Sequence, residues 1–409
     1  MQRFAAHTTL GNALSALGKL AEAEEVVSAN LAACTEARGP DHRHTLGTKL
    51  NLGLTLDGQG KHNEAALIYA EVLETQRCVL GPEHRDTLNT AMQLAGSALA
   101  RGRNAEAEAE YRAILAVQSR LLGESDPATL TCAMNLGSSL LNQAKYAEAE
   151  QVYATNLEHK RRRLGSSHVD TLMLEMNLGS VAKERGRYAE AEERFAENLR
   201  AKRECLGGAH ADTCFASLNL VLVWIDAKRV DKYDDAEALA AITHATLCRE
   251  LGHTHPSALN AAMHHGIALG AQGHHLRAAN LLQTTHAAQV AVHGPSHPEA
   301  LETAWRLGAL LALTDTAASD SEAAEALLRP TMLSLAEQLG DWHPRTQRTR
   351  VSLAEALLSR AILAGEEEAE IGEAGRLLAQ AEQAQRSVLD TTHPDLLKTQ
   401  DLRGRLREC

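Results

Sequence analysis

The chain has 409 residues and carries 41 Lys+Arg against 53 Asp+Glu, a net charge of −12. That acidic balance argues against wrapping nucleic acid or lying on an anionic membrane, since both need a basic surface. With 44% hydrophobic, 23% charged and only 3% aromatic residues, the composition suits closely packed helices better than sheets, which favour β-branched and aromatic side chains.

From the N-terminus onward the sequence repeats itself. The corner GPDHRHTL (Gly39 to Leu46) returns as GPEHRDTL (Gly81 to Leu88), GESDPATL (Gly123 to Leu130), GSSHVDTL (Gly165 to Leu172) and GGAHADTC (Gly207 to Cys214), each 42 residues after the last. Gly252, Gly294 and Gly340 open three more corners, and Asp390 opens a ninth. Self-similarity at such a period predicts stacked helical repeats. We expect a single array over 1–409, with repeats at 3–44, 45–86, 87–128, 129–170, 171–212, 213–257, 258–299, 300–345 and 346–395, then a capping helix at 396–409.

The first repeat begins inside a helix, so its apolar face (Phe4, Leu10, Leu14) is expected to lack a cap and to permit self-association through that end. The fourth repeat shows the common pattern. Leu130, Met134, Leu136 and Leu140 give one helical face, and Ala149, Tyr153 and Leu157 a second at i, i+4, i+8. Eight of the nine prolines fall in the corners, where a missing N–H costs nothing. Thr45, Thr87, Thr129, Thr171 and Thr213 follow as expected N-caps. Glu150 and Glu192 read as outer-face charges. Repeats six, eight and nine gain residues mainly between their two helices, and the insert GEEEAEIG (Gly365 to Gly372) is expected as a solvated acidic loop. The seven cysteines are scattered and never spaced CxxC, which predicts free thiols. No stretch approaches ~20 apolar residues and the start lacks a signal-peptide pattern, so the expected location is cytoplasmic, with no membrane partner.

Leu136-Gly137 with Leu140, Ala149 and Tyr153, Leu52-Gly53 with Ala65 and Tyr69, and Leu178-Gly179 with Ala191 and Phe195 resemble the tetratricopeptide motif. The 42-residue period and the corner LG-x-x-H-x-D-T at Leu206–Thr213 resemble the kinesin light chain form of that repeat. The resemblance covers essentially the whole chain. It implies an all-α, right-handed superhelical solenoid of antiparallel helix pairs, with first helices on the concave wall and second helices on the convex one. It also implies a non-catalytic protein- or peptide-binding scaffold or adaptor that holds an extended peptide in the concave groove.

Two stripes follow from that alignment. Asn51, Gln93, Asn135, Asn177 and Asn219 stand two residues before the motif glycine position, where an amide offers donor and acceptor to a peptide backbone. The alternative is that each amide bridges neighbouring first helices. One residue earlier lie Leu50, Met92, Met134, Met176, Leu218, Met263 and Trp305. The methionines suit a surface that repacks around varied apolar side chains, or simply core. Asn260, His264, Arg306 and Arg348 occupy wall positions of the later repeats and could form a carboxylate-binding pocket, since Arg pairs bidentately with carboxylates.

Histidines 42, 84, 168, 210, 255, 297, 343 and 393 recur at one corner position, with Asp126 in the remaining corner, which predicts a loop-capping role. The pairs His42/His44, His253/His255 and His264/His265 lack the further ligands zinc wants, so neither metal nor cofactor is expected. No HExxH, GxSxG, Walker or dinucleotide motif is present, and no enzyme is expected. The alternatives are a sensor or autoinhibitory array of a larger nucleotide-binding signalling protein and, more remotely, a metal-dependent hydrolase.

Overall fold

The computed structural model describes residues 2–16, 19–313, 318–364 and 368–408, and there the chain is α-helical without a strand. The side chain of Phe4, residues 365–367 of the acidic insert, and Cys409 lie outside the described residues. The helices fall into two compact units, Met1–Gln143 and Ala144–Cys409.

The first unit holds α1 (Gln2–Ala16), α2 (Leu20–Arg38), α3 (Arg43–Gly58), α4 (His62–Val79), α5 (Arg85–Ala100), α6 (Asn104–Leu122) and α7 (Pro127–Asn142). The second begins with α8 (Tyr146–Leu164), α9 (Val169–Glu184), α10 (Tyr188–Leu206), α11 (Ala211–Asp226), α12 (Tyr233–Leu251) and α13 (Pro256–Ala271). It continues with α14 (His275–His293), α15 (Pro298–Leu313), α16 (Ala318–Leu339), α17 (Pro344–Ala364), α18 (Glu368–Val388) and α19 (Pro394–Glu408). Within each unit, short connections fold successive helices back on one another in an all-α solenoid of helix pairs.

The corners explain the repeat chemically. Each second helix from α2 to α16 that precedes a corner glycine ends on a residue held at φ between 85° and 92°, from Gly39 (87°) to Gly340 (91°), which only glycine adopts without strain. The next helix is capped by the corner histidine. The ring Nδ1 of His42, His84, His168, His210 and His255 accepts the backbone N–H two residues on, at 3.1–3.2 Å. Asp126 does the same through Oδ1 at 2.8 Å, which is why it can stand in for histidine.

The expected threonine caps are therefore corrected. The helix starts two residues earlier than Thr45, so that threonine is buried in the first turn and donates backwards. Thr45, Thr87 and Thr171 give their hydroxyl hydrogens to the carbonyls of Gly39, Gly81 and Gly165 at 2.8–2.9 Å.

The motif glycines set the helix-pair spacing. A Cβ added at Gly53 would lie 2.5 Å from the Tyr69 ring, and one at Gly179 would lie 2.7 Å from the Phe195 ring. Ala65, Ala107, Ala149, Ala191, Ala236 and Ala278 are fully buried at one repeated position of the second helices. Successive repeats are then tied through carboxylates. Glu24 accepts Gln59 Nε2 at 2.8 Å and Glu108 accepts Gln143 Nε2 at 2.7 Å in the first unit. In the second unit Glu150 accepts from Arg185 and Arg187 at 2.6 and 2.8 Å. Glu192 accepts from Trp224 and Arg229 at 2.8 and 2.9 Å. Glu150 and Glu192 are thus inter-repeat ties and not free outer-face charges.

The inserted residues behave differently from one another. Those of the sixth repeat form a short 3-10 turn, Val230–Lys232, ahead of α12. In the acidic insert, Glu368 already opens α18 and Glu370 accepts Arg360 Nε at 2.9 Å. That portion lengthens a helix, as Glu- and Ala-rich sequence favours, instead of forming a loop. The cysteines among the described residues are free.

Candidate functional site

In the first unit, Asn51 on α3, Gln93 on α5 and Asn135 on α7 occupy equivalent places and are half-buried, as are Met92 and Met134 beside two of them. Leu54, one turn on from Leu50, is 46% exposed. Burial raises the pKa of the Tyr111 hydroxyl on α6, and the Asn135 amide acts against that rise.

In the second unit, Asn177 on α9 and Asn219 on α11 are half-buried too. The methionine stripe runs inward here. Met176 packs against the core around Phe195 and Leu220, and its sulfur lies 3.9 Å from the buried Lys202 Nζ. Met263 is only 5% exposed, in a core cluster with Leu282 and Leu307. Its expected place on a ligand surface is corrected: the neighbouring second helix covers it. Trp305 stays half-buried, donates its indole N–H to Ser352 Oγ at 3.1 Å, and has the Arg306 guanidinium 4.3 Å from its ring centroid.

The second unit winds back on itself. Arg348 on α17 donates through Nη2 to Glu184 Oε2 at the end of α9 (3.1 Å) and through Nε to Asp395 Oδ2 at the start of α19 (2.7 Å). His393 donates its Nε2 hydrogen to the Glu184 carbonyl at 3.2 Å while its Nδ1 accepts the Asp395 N–H at 3.2 Å, a consistent neutral tautomer. Gly186, at φ 74°, leaves the room: a Cβ there would meet Pro394 at 3.1 Å and His393 at 3.2 Å.

A network of both charge signs lines this closed interior. Arg306 donates to Glu302 Oε1 at 3.1 Å and to Asp226 Oδ1 at 3.5 Å, and Lys183 lies 3.0 Å from Glu184 and 3.8 Å from Asp226. Burial pushes the Glu184 carboxyl up, but Lys183 and Arg348 together hold it far below the usual carboxylate range. Asp395 is likewise held down by Arg348 against its own burial. The network is ionised and paired.

The expected carboxylate-binding quartet is thus placed in one unit, but its arginines already hold carboxylates of this chain. Arg306 takes Asp226 and Glu302, and Arg348 takes Glu184 and Asp395. His264 is 7% exposed and donates Nδ1–H to the Asn260 carbonyl at 2.8 Å. The arginines' partners Glu184, Asp226, Glu302 and Asp395, and Lys183 beside two of them, carry no local signature, and only the arginines at wall positions hinted at the network.

Beside the network lies a cavity of about 410 Å³, lined among others by Tyr188, Asp226, Trp305, Arg306, Val351 and Lys398. Gln385 also lines it, 2% exposed, with an Oε1 that has no hydrogen-bond partner. The volume falls in the range of small-ligand pockets, and its apolar walls with a few polar groups are the usual composition of one.

Burial also pushes the His264 pKa down to about 4, with the Asn260 carbonyl opposing and Arg306 assisting. In the unfolded chain the ring titrates near ~6.5, so the unfolded state takes up the proton first. The associated stability is complete above pH ~6.5 and is lost as pH falls towards 4, amounting to roughly 3 kcal/mol at ~1.4 kcal/mol per pH unit. Urea unfolding of wild type and His264→Gln across that window should show the variant with the shallower pH dependence. Equal slopes would place the titration elsewhere.

A family model described as tetratricopeptide repeat matches residues 2–77, 86–162 and 132–204. Among solved structures, a Rap protein complexed with Competence and Sporulation Factor aligns with TM-score 0.55 and 12% identity, covering 89% of this chain and 98% of that one. The apo form of RapI aligns with TM-score 0.51 and 10% identity, covering 74% and 98%. A putative kinesin light chain from Podosopora anserina with nearly identical TPR-like repeats gives TM-score 0.42 and 21% identity over 51% of this chain and 98% of that one. No curated protein matches the sequence. At these identities the likeness is one of fold. Among the described residues, no helix is long and apolar enough to cross a membrane.

Proposed function

We propose that this chain is a tetratricopeptide-repeat protein, a reading supported by the family model that matches residues 2–77 and 86–204 and by a 42-residue period that resembles the kinesin light chain form, and that it is a non-catalytic cytoplasmic adaptor whose first-helix faces hold a segment of a partner protein. The repeat fold supports a protein-binding scaffold. The Rap protein of similar fold is itself complexed with a factor. The observation that carries the finer reading is the cavity inside the second unit. It pairs apolar walls such as Ile225 and Val351 with charges of both signs and an unpartnered buried amide oxygen on Gln385. A side chain or a chain end of a partner fits such a volume, and Asn177 and Asn219 are the amides we assign to its backbone. In the first unit the corresponding assignment is Asn51, Gln93 and Asn135, with Met92 and Met134 receiving apolar side chains.

Selecting a random peptide library on the protein provides a defined ligand for the test. Each lost amide contact costs ~0.5–1.5 kcal/mol, so removing two should weaken a selected peptide roughly 5- to 150-fold. Asn177→Ala/Asn219→Ala addresses the second unit, and Asn51→Ala/Gln93→Ala/Asn135→Ala the first. Glu158→Lys, on a side chain 70% exposed, is the control. Peptides that bind both amide variants at wild-type strength but lose the control variant would place recognition on the outer face and overturn the assignment.

A further inference from the structure

At the Gly294 corner a histidine stands where six of the other corners carry leucine. Leucine precedes Gly81, Gly123, Gly165, Gly207, Gly252 and Gly340, whereas His293 precedes Gly294 in the run HGPSHPE, and Glu299 follows the cap residue His297 by two. The structure brings His293, His297 and Glu299 together at the junction of α14 and α15, each half-buried, with one ligand-capable atom per residue and all three atoms within 4.8 Å of one another. We propose that this trio is a binding site for a divalent transition-metal ion of the zinc class.

Two orphaned atoms carry the argument. His293 Nε2 and Glu299 Oε2 are both buried and have no hydrogen-bond partner, an arrangement native proteins avoid unless something else satisfies it. A single cation satisfies both at once. The imidazoles of His293 and His297 stack with centroids 4.3 Å apart and planes 19° apart, so their nitrogens sit side by side.

The donor set selects the ion. Two imidazoles and one carboxylate suit zinc and its neighbours better than calcium or magnesium, which take oxygen donors. Ligands of a tetrahedral zinc lie about 3.3 Å apart when the bonds are about 2.0–2.1 Å, so side-chain rotation closes the remaining gap. A fourth position stays open to water or to a partner's side chain. Binding has one built-in cost. His297 Nδ1 accepts the Glu299 backbone N–H at 3.3 Å. In that neutral tautomer Nε2 carries the proton, so ligation through Nε2 moves the proton to Nδ1 and gives up the α15 cap. The site is consequently weaker than a preformed one.

Cobalt(II) is the probe, added to metal-stripped full-length protein. We expect one ion per chain, visible d–d absorption of a low-symmetry site, and its displacement by zinc. His293→Leu installs the residue found at six other corners and so retains the fold, and Glu299→Gln keeps the shape without the charge. Each should weaken cobalt binding at least tenfold. His253→Ala, an exposed histidine in the corner before α13, should leave it unchanged. No cobalt spectrum in wild type, wild-type affinity in either ligand variant, or loss of binding in His253→Ala would each overturn the assignment. Circular dichroism on every variant separates loss of binding from loss of helix.

Discussion

Replacing Arg348 by Met should cost about 3 kcal/mol of stability and loosen α19 from α9. Arg348 joins residues 164 positions apart in sequence, through Glu184, and 47 apart, through Asp395. Removing it leaves Asp395 without its counter-ion and Glu184 with Lys183 alone, and breaking a buried pair from one side costs ~3–5 kcal/mol. The side chain keeps 19% of its surface exposed, so the low end of that range applies. Lys in its place should recover little, because one ammonium cannot reproduce two separately directed guanidinium bonds. Denaturant unfolding gives the cost. Hydrogen exchange of α19 distinguishes a local opening, expected first, from global loss. An unchanged midpoint would mean that the closure is held by the His393–Glu184 contact and the packing around Gly186 instead.

A loss of similar or larger size is expected at the helix-pair joint of the second unit. Phe195 is 1% exposed and lies in a core cluster with Leu199, Leu220 and Val223. Phe195→Ala should cost ~3–5 kcal/mol, the usual figure for deleting a buried ring. Gly179→Ala alone should cost ~1–3 kcal/mol through overpacking, since the new methyl would sit 2.7 Å from that ring. Combined, the two should cost less than their sum, because the methyl enters space the ring has vacated. Strict additivity in urea unfolding would show that Gly179 matters for backbone conformation and not for clearance.

The joint was legible in the sequence because it is local and periodic. Gly179 and Phe195 are sixteen residues apart within one repeat, and the same spacing recurs as Gly53 and Tyr69. The corner histidines were legible as capping elements for the same reason. Which atom does the capping was not, because threonine propensity pointed at the wrong residue until the helix start was placed. The interior network could not be read locally at all. Glu184 and Asp226 look like ordinary charges at helix ends, and nothing in their neighbourhood announces Arg348 or Arg306, which arrive only through the winding of several repeats. Met263 and Met176 show the converse failure. Their shared register with Met92 and Met134 is real, but small neighbours such as Ala261 and Ala262 let the later helices pack closely enough to bury one of them. The histidine–glutamate trio escaped because its members straddle a helix end, where no fixed ligand spacing applies.

The central claim is that a partner is held by first-helix faces. Hydrogen exchange of the full chain, with and without a library-selected peptide at saturating concentration, tests it most directly. Slowed exchange is expected in first helices, either α9, α11, α13, α15 and α17 of the second unit or α3, α5 and α7 of the first. Protection confined to second helices such as α8, α10 and α12 would contradict the account.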